Sequence, residues 1–128
     1  MACVLMFHWI GCVAVHGAPI NYRCDFNVAS DRKEHAQTSP RPLAVEYVYD
    51  PAKGGGVIVG EDSDLLVVSG REAISFVARH TDGSVVSTTI LNKPDPGNRF
   101  AAVLSAHKIE SALKPEQWLG SCTVLQRG

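Results

Sequence analysis

The chain has 128 residues, of which 45% are hydrophobic and 20% charged, so it is long enough for one folded domain and too apolar for a disordered tail. The formal net charge is −1, and the Lys and Arg residues are scattered rather than clustered. This distribution argues against a nucleic-acid-binding protein and against a protein attracted to an anionic membrane.

The N-terminal segment has the composition of an export signal. Residues 1–17 contain no Asp, Glu, Lys or Arg, and they end in small side chains before Ala18. We expect cleavage there, which leaves residues 18–128 as one domain; a buried first strand or helix is the alternative. A membrane span is not expected, because it needs about 20 apolar residues and Arg23 and Asp25 arrive too early.

Cysteine usage is consistent with export to the periplasm or the extracellular space. Removing the expected signal leaves two of the four cysteines, Cys24 and Cys122, near opposite ends of the mature chain. This even count predicts one disulfide in an oxidising compartment. No Cys-x-x-Cys occurs, so the sequence shows neither a zinc-site nor a redox pattern.

The first half of the chain reads as short strands separated by turns. Alternating apolar residues predict a first strand over residues 20–26 and a second over 43–50. Residues 27–42 lack periodicity and are rich in Ser, Thr, Asp and Pro, which indicates a long loop. Short third and fourth strands are expected at residues 56–60 and 65–69.

The clearest local pattern is a hairpin over residues 72–92. Val, Ile, Phe and Thr dominate both arms, which flank Asp82-Gly83. A two-residue loop would set apolar side chains opposite polar ones. A three-residue loop with Gly83 left-handed sets Phe76 opposite Thr88 and collects the apolar side chains on one face. We therefore expect the three-residue loop and a sheet that is buried on one side.

The last third predicts two further strands. Residues 93–98 are strongly turn-forming, residues 99–105 form strand seven and residues 121–126 form strand eight. Between these strands, residues 106–120 are expected to hold a helical turn that begins at Pro115. Short strands throughout and no amphipathic helix of normal length are typical of an all-β domain.

A small eight-stranded antiparallel meander barrel is the expected architecture, with a two-sheet sandwich as the alternative. In the barrel the first and last strands meet. That closure would bring Cys24 and Cys122 within bonding distance, so cysteine placement and topology agree.

Three segments of the C-terminal half carry a resemblance: Thr88-Thr89-Ile90, Ser105-Ala106-His107 and the run from Pro115 through Trp118-Leu119-Gly120 to Cys122. In them the chain resembles a group of small exported β-rich bacterial proteins without an assigned activity. The resemblance extends over about residues 20 to 124. It implies export and a β fold, and it supplies no function.

Tyr22-Arg23-Cys24 and Gly120-Ser121-Cys122 are similar to the edges of another fold. It is that of the periplasmic inhibitors of c-type lysozyme, which are small barrels that also join an early strand to a late one by a disulfide. This similarity concerns the fold alone and implies no site residues.

No catalytic pattern is present, so we do not expect an enzyme. Ser105 and His107 stand two residues apart, but nucleophilic catalysis also needs a third group that orients the base. Neither a Gly-x-Ser-x-Gly elbow nor a His-Glu-x-x-His helix occurs. A hydrolase is the least favoured of the functions considered.

A binding or inhibitory module that acts through its loops is the preferred hypothesis, with another envelope or extracellular protein as its partner and no cofactor. Residues 27–42 and 106–120 are too long to be simple connections between strands. A lipocalin-like carrier of a small ligand is the alternative. The carrier is less favoured because short strands enclose little space inside a barrel. Side chains are therefore expected to fill the interior.

The expected partner-binding residues are His35, His80, His107 and Gln117. In a meander the loops that carry them share one end of the barrel. Such a convergence could hold a divalent metal, but solvated loop residues are the simpler interpretation, and no metal site is predicted. Trp118 is expected to be buried as a cap on the core.

Export predicts a specific mass. Protein recovered from the periplasm or the medium should lack about the first 17 residues, because that segment is apolar and ends in small side chains. Intact-mass spectrometry measures this directly. Retention of Met1 on a soluble cytoplasmic protein would contradict the prediction and remove the redox argument with it.

Overall fold

The computed structural model describes residues 18–30, 36–61, 64–109 and 113–125, and the expected signal at 1–17 lies outside them. The described chain forms one sheet of eight antiparallel strands. These are β1 (Ile20–Ser30), β2 (Ala36–Asp50), β3 (Gly55–Ile58), β4 (Asp64–Ser69), β5 (Ala73–Arg79), β6 (Val85–Leu91), β7 (Phe100–Ile109) and β8 (Leu113–Leu125).

The strand order is that of a meander whose ends meet. It runs β3-β2-β1-β8-β7-β6-β5-β4, so the first strand pairs with both the second and the last. At the seam between β3 and β4 the side chains of Leu65 and Val67 approach Gly56. The sheet is thus a nearly closed barrel, which confirms the predicted fold class and removes the two-sheet sandwich.

The hairpin register is the one predicted from the sequence. Phe76 lies opposite Thr88, and Ala78 lies opposite Val86. Gly83 has a φ of +92°, the left-handed conformation that glycine adopts without a steric penalty. The inward side chains of β5 are buried, so the face that the alternation marks as apolar is the inside of the barrel.

Large side chains fill one half of the interior. Phe76 stacks on Tyr47 with ring centroids 4.6 Å apart, and it meets the edge of Tyr22 at 5.9 Å. Phe26 and Ile90 are fully buried in the same core. This is the half nearer the two ends of the described chain, where β1 begins and β8 ends.

The predicted disulfide joins Cys24 of β1 to Cys122 of β8, which lie directly opposite each other in the strand pairing. Both cysteines are fully buried in the core. The bond therefore fixes the first strand to the last from inside the barrel, 98 positions apart along the chain.

The prediction of a long loop at residues 27–42 is wrong. β1 continues to Ser30 and β2 begins at Ala36, so most of the segment is strand. The end of β1 pairs with residues 117–119 of β8. Ladder hydrogen bonds satisfy the backbone whatever side chains it carries, and here they outweigh a composition that favours turns.

An irregular pairing explains the missing periodicity in this segment. The register shifts between Phe26 and Val28, where Asn27 is an extra residue in β1 relative to β8. Such a bulge moves the following side chains to the other face, so local alternation fails. The same shift leaves residues 39–42 of β2, which read SPRP, outside the pairing with β1, where proline removes no ladder bond.

The helical turn predicted within residues 106–120 is also wrong. β7 runs on to Ile109 and β8 begins at Leu113, so the two strands form one long hairpin. Pro115 lies opposite His107 in this hairpin. The described pairing of β8 with β1 reaches only as far as Gln117, and strand edges of this kind tolerate proline.

Removing the disulfide should destabilise the barrel by about 2–5 kcal/mol, because the bond restricts a long loop in the unfolded chain. The double variant Cys24→Ala/Cys122→Ala tests this without leaving a buried thiol unpaired. Urea unfolding under non-reducing conditions gives the free energy. An unchanged midpoint would show that the bond does not form or does not contribute.

Candidate functional site

A cavity of about 300 Å³ lies inside the barrel, in the half opposite the aromatic core. We call this end of the barrel, where β3 and β5 finish and β6 begins, the cavity end. The cavity wall is mostly apolar and is contributed by Leu43, Val45, Tyr47, Ile58, Ala78, Val86, Leu104, Ala106 and Trp118.

Strand register explains why space remains at this end. The inward row Phe76, Thr88, Leu104 and Trp118 crosses four neighbouring strands and carries large side chains. The next row toward the cavity end is Ala78, Val86, Ala106 and Glu116. Two alanines, Ala78 and Ala106, stand where the previous row has Phe76 and Leu104, so the barrel is not filled there.

The floor of the cavity offers an aromatic ring rather than a free polar group. The Tyr47 hydroxyl forms a short hydrogen bond with the Thr88 hydroxyl, and both residues are buried. Burial is the main cause of a raised Tyr47 pKa; the Thr88 hydrogen bond opposes it and the nearby Glu61 carboxylate adds to it. Tyr47 therefore stays neutral at physiological pH, with its one polar atom already bonded.

Charged side chains lie at the rim, where the strands end. Lys108 of β7 and Glu116 of β8 form an ion pair with 3.3 Å between Nζ and Oε2. Glu61 follows β3 and His80 follows β5, and both line the cavity. Among the described residues that line the cavity, the rim groups are thus two carboxylates, one ammonium group and one imidazole around an apolar interior.

The β5–β6 turn beside the rim is held by several hydrogen bonds. The His80 N–H donates to the Ser84 carbonyl at 2.9 Å, and the Ser84 N–H donates to the Asp82 carboxylate at 2.8 Å. The hydrogen bonds from Ser84 are the main cause of a lowered Asp82 pKa. The Ile109 N–H donates to Ser84 Oγ at 3.2 Å, which ties the turn to β7 and fixes the position of His80.

The predicted partner-binding residues lie on two sides of the barrel wall. His80 is half-buried and lines the cavity. His107 and Gln117 are exposed on the outer face of β7 and β8, where Gln117 Nε2 donates to Ser105 Oγ at 3.5 Å. His35 lies outside the described residues. The described strand ends that flank these connections lie at one end of the barrel, but strand alternation separates His80 from His107 and Gln117.

Trp118 is half-buried rather than fully buried, and it lies on a strand rather than in a turn. It pairs with Leu104 and Ala29 and packs against the core from the cavity wall. Sequence reasoning placed it in a loop and therefore missed its contact with the cavity. It also missed Ala106 and Lys108, whose inward direction depends on the unexpected extension of β7.

The outer faces of β3 and β4 carry the most exposed aliphatic side chains of the described residues. Val57, Val59, Leu66 and Val68 are each more than half exposed and flank the seam of the barrel. We call these four residues the seam patch. The seam patch lies on the outer surface of the barrel and is separate from the cavity. Binding of an apolar ligand there can therefore be distinguished from binding in the cavity.

The described ranges lack two other kinds of feature. There, no group of three or more His, Cys, Asp and Glu side chains could hold a metal ion. Nor does that part of the chain contain a helix with the length and apolar character needed to cross a bilayer.

Comparison with protein-family models, with curated proteins and with solved structures found no match to this chain. The two resemblances drawn from the sequence therefore stay predictions. Function has to be argued from the cavity and its residues.

The Tyr47–Thr88 hydrogen bond should contribute measurably to folding. Tyr47→Phe leaves the buried Thr88 hydroxyl without this partner, and we expect a loss of about 1–3 kcal/mol in the free energy of unfolding. Thr88→Val should cost a similar amount. The double variant should cost less than the sum of the two, because both polar atoms are then removed.

Ser75→Ala is the matched control, since it removes an exposed hydroxyl pair, Ser75 with Thr89 at 2.8 Å. Its effect should stay within about 0.5 kcal/mol. Urea unfolding of the four variants supplies all the values. Strictly additive losses at Tyr47 and Thr88 would contradict a direct bond between them.

Proposed function

We propose that this protein is a binding protein that holds one small, mainly apolar ligand in the cavity at one end of its barrel. The cavity itself is the observation that carries the proposal. Its volume of about 300 Å³ is at the lower end of the range for ligand pockets, roughly 300–1,000 Å³. Eight-stranded barrels of this size are known to hold a single small ligand.

The geometry supports a ligand carrier better than a module that acts through loops. The loop hypothesis rested on residues 27–42 and 106–120, and most of both segments is strand. The carrier hypothesis was weakened by the expectation of a filled interior. Only half of the described interior is filled, so that objection no longer holds.

The expected affinity is moderate, because the wall is small. A ligand that buries about 200 Å² of its apolar surface gains about 5 kcal/mol from leaving water. Part of that gain offsets the loss of translational and rotational freedom. A dissociation constant no tighter than about 0.2 mM therefore follows for a ligand of this size that makes no strong polar contact.

We also infer that the protein works outside the cytoplasm, in the periplasm or after secretion. The buried Cys24–Cys122 disulfide supports this, because such bonds persist in oxidising compartments. The apolar N-terminal segment at 1–17 supports it independently. An extracellular or envelope partner, contacted through His35, His80, His107 or Gln117, stays a prediction from the sequence.

Filling the cavity should abolish ligand binding. We expect N-phenyl-naphthylamine, an uncharged apolar dye, to bind one molecule per chain with enhanced fluorescence. In Ala106→Phe the new ring points into the cavity, and we expect affinity to fall by about tenfold or more. Val86→Phe provides a second, independent obstruction of the same space.

Ala101→Phe is the matched control, since Ala101 lies on the exposed face of the same strand. The Ala101→Phe variant should bind the dye as tightly as the unmodified protein does. Thermal unfolding should show that all variants fold. Leu66→Ser tests the seam patch. Dye binding that survives both cavity variants but is lost in Leu66→Ser would place the dye on the outer surface and overturn the proposal.

A further inference from the structure

The rim residues point to the chemical class of the ligand. We propose that the cavity selects an amphipathic molecule with an apolar body and a cationic head group over one with an anionic head group. The inference rests on the proposed binding function and concerns the same site. Two observations support the inference: the positions of the polar groups and the balance of charge around the mouth of the cavity.

The apolar body belongs at the floor. Tyr47 and Thr88 bond to each other there, so the floor presents the face of an aromatic ring and aliphatic groups. A polar group buried in this part of the cavity would lose its bonds to water without gaining replacements, which costs free energy. The head group must therefore remain at the rim.

The balance of charge at the rim favours a cation. Lys108 is paired with Glu116 at 3.3 Å, so these two groups largely cancel. Glu61 also lines the cavity, is exposed, and takes part in neither ion pair observed among the described residues. Two carboxylates against one ammonium leave the lining residues with a charge of −1 when His80 is neutral.

Charged groups outside the lining carry both signs. The Asp82 carboxylate lies at the same end, close enough to His80 for the two to interact electrostatically. Arg79 is the last residue of β5, is exposed on its outer face, and does not line the cavity. The electrostatic preference for a positive head group therefore rests on the groups that line the cavity.

The aromatic wall adds a second attraction of the same sign. Trp118 lines the cavity and lies two residues along β8 from Glu116 of the rim. A cation near the face of an aromatic ring is attracted by its quadrupole, and Trp is the most effective of the aromatic residues. An anionic head group would be repelled by the same faces.

Three ligands with one alkyl chain and different heads separate these effects: octylamine, octanol and octanoate. Each is titrated at pH 8, where histidine side chains are ordinarily neutral, as a competitor of N-phenyl-naphthylamine. We expect octylamine to bind about two- to fivefold more tightly than octanol, since exposed ion pairs contribute effects of that size. Octanoate should bind more weakly than octanol.

Glu61→Gln should reduce the preference for the amine, measured as the ratio of the octanol and octylamine dissociation constants. Glu72→Gln is the matched control, because it removes an exposed carboxylate at the opposite end of the barrel. The preference of Glu72→Gln for octylamine over octanol should equal that of the unmodified protein. Equal binding of octylamine and octanoate, or a preference that Glu61→Gln does not reduce, would overturn the inference. Failure of octanol itself to compete would instead defeat the proposed function and the inference that rests on it.

Discussion

Pairing between β1 and β8 is the constraint on which the other features of this barrel depend. β3 and β4 form the two edges of the sheet and are not hydrogen-bonded to each other, so without the contact between the first and last strands the eight strands would form two separate sheets. The Cys24–Cys122 bond holds this pair from within the core. At Gly120 the backbone of β1 approaches so closely that an added Cβ would lie 2.7 Å from the Cα of Phe26.

Closure creates an interior, and the size of the inward side chains decides how it is used. Near the disulfide, Phe26, Phe76 and Ile90 fill it. Toward the cavity end, Ala78 and Ala106 leave it open. Larger side chains at those positions would bury more apolar surface and stabilise the fold. The small row therefore costs stability, as is expected of a cavity of the kind that the proposed function requires.

Local patterns predicted the parts of the fold that local interactions decide. The register of the β5–β6 hairpin follows from Gly83 and from the apolar alternation of its two arms, so sequence alone determines it. Closure could be inferred because Cys24 and Cys122 linked the ends of the chain. In each case the deciding residues are close in sequence or carry a covalent signal.

Long-range pairing decided what the sequence could not predict. The end of β1 is a strand because β8 pairs with it, and the bulge at Asn27 erases the alternation that would have revealed it. The candidate site shared this difficulty. Its histidines were grouped by their end of the barrel, but whether His107 points inward or outward depends on the extension of β7 past residue 105, which composition did not indicate.

A crystal structure determined under xenon pressure would test the cavity most directly, because xenon enters apolar cavities without requiring a particular ligand. Xenon density is expected inside the barrel between Trp118, Ala106 and Ala78, with the half around Phe76 and the disulfide unoccupied. An interior in which side chains fill the space beside Ala106 and exclude xenon would contradict the cavity, and with it the proposed binding function.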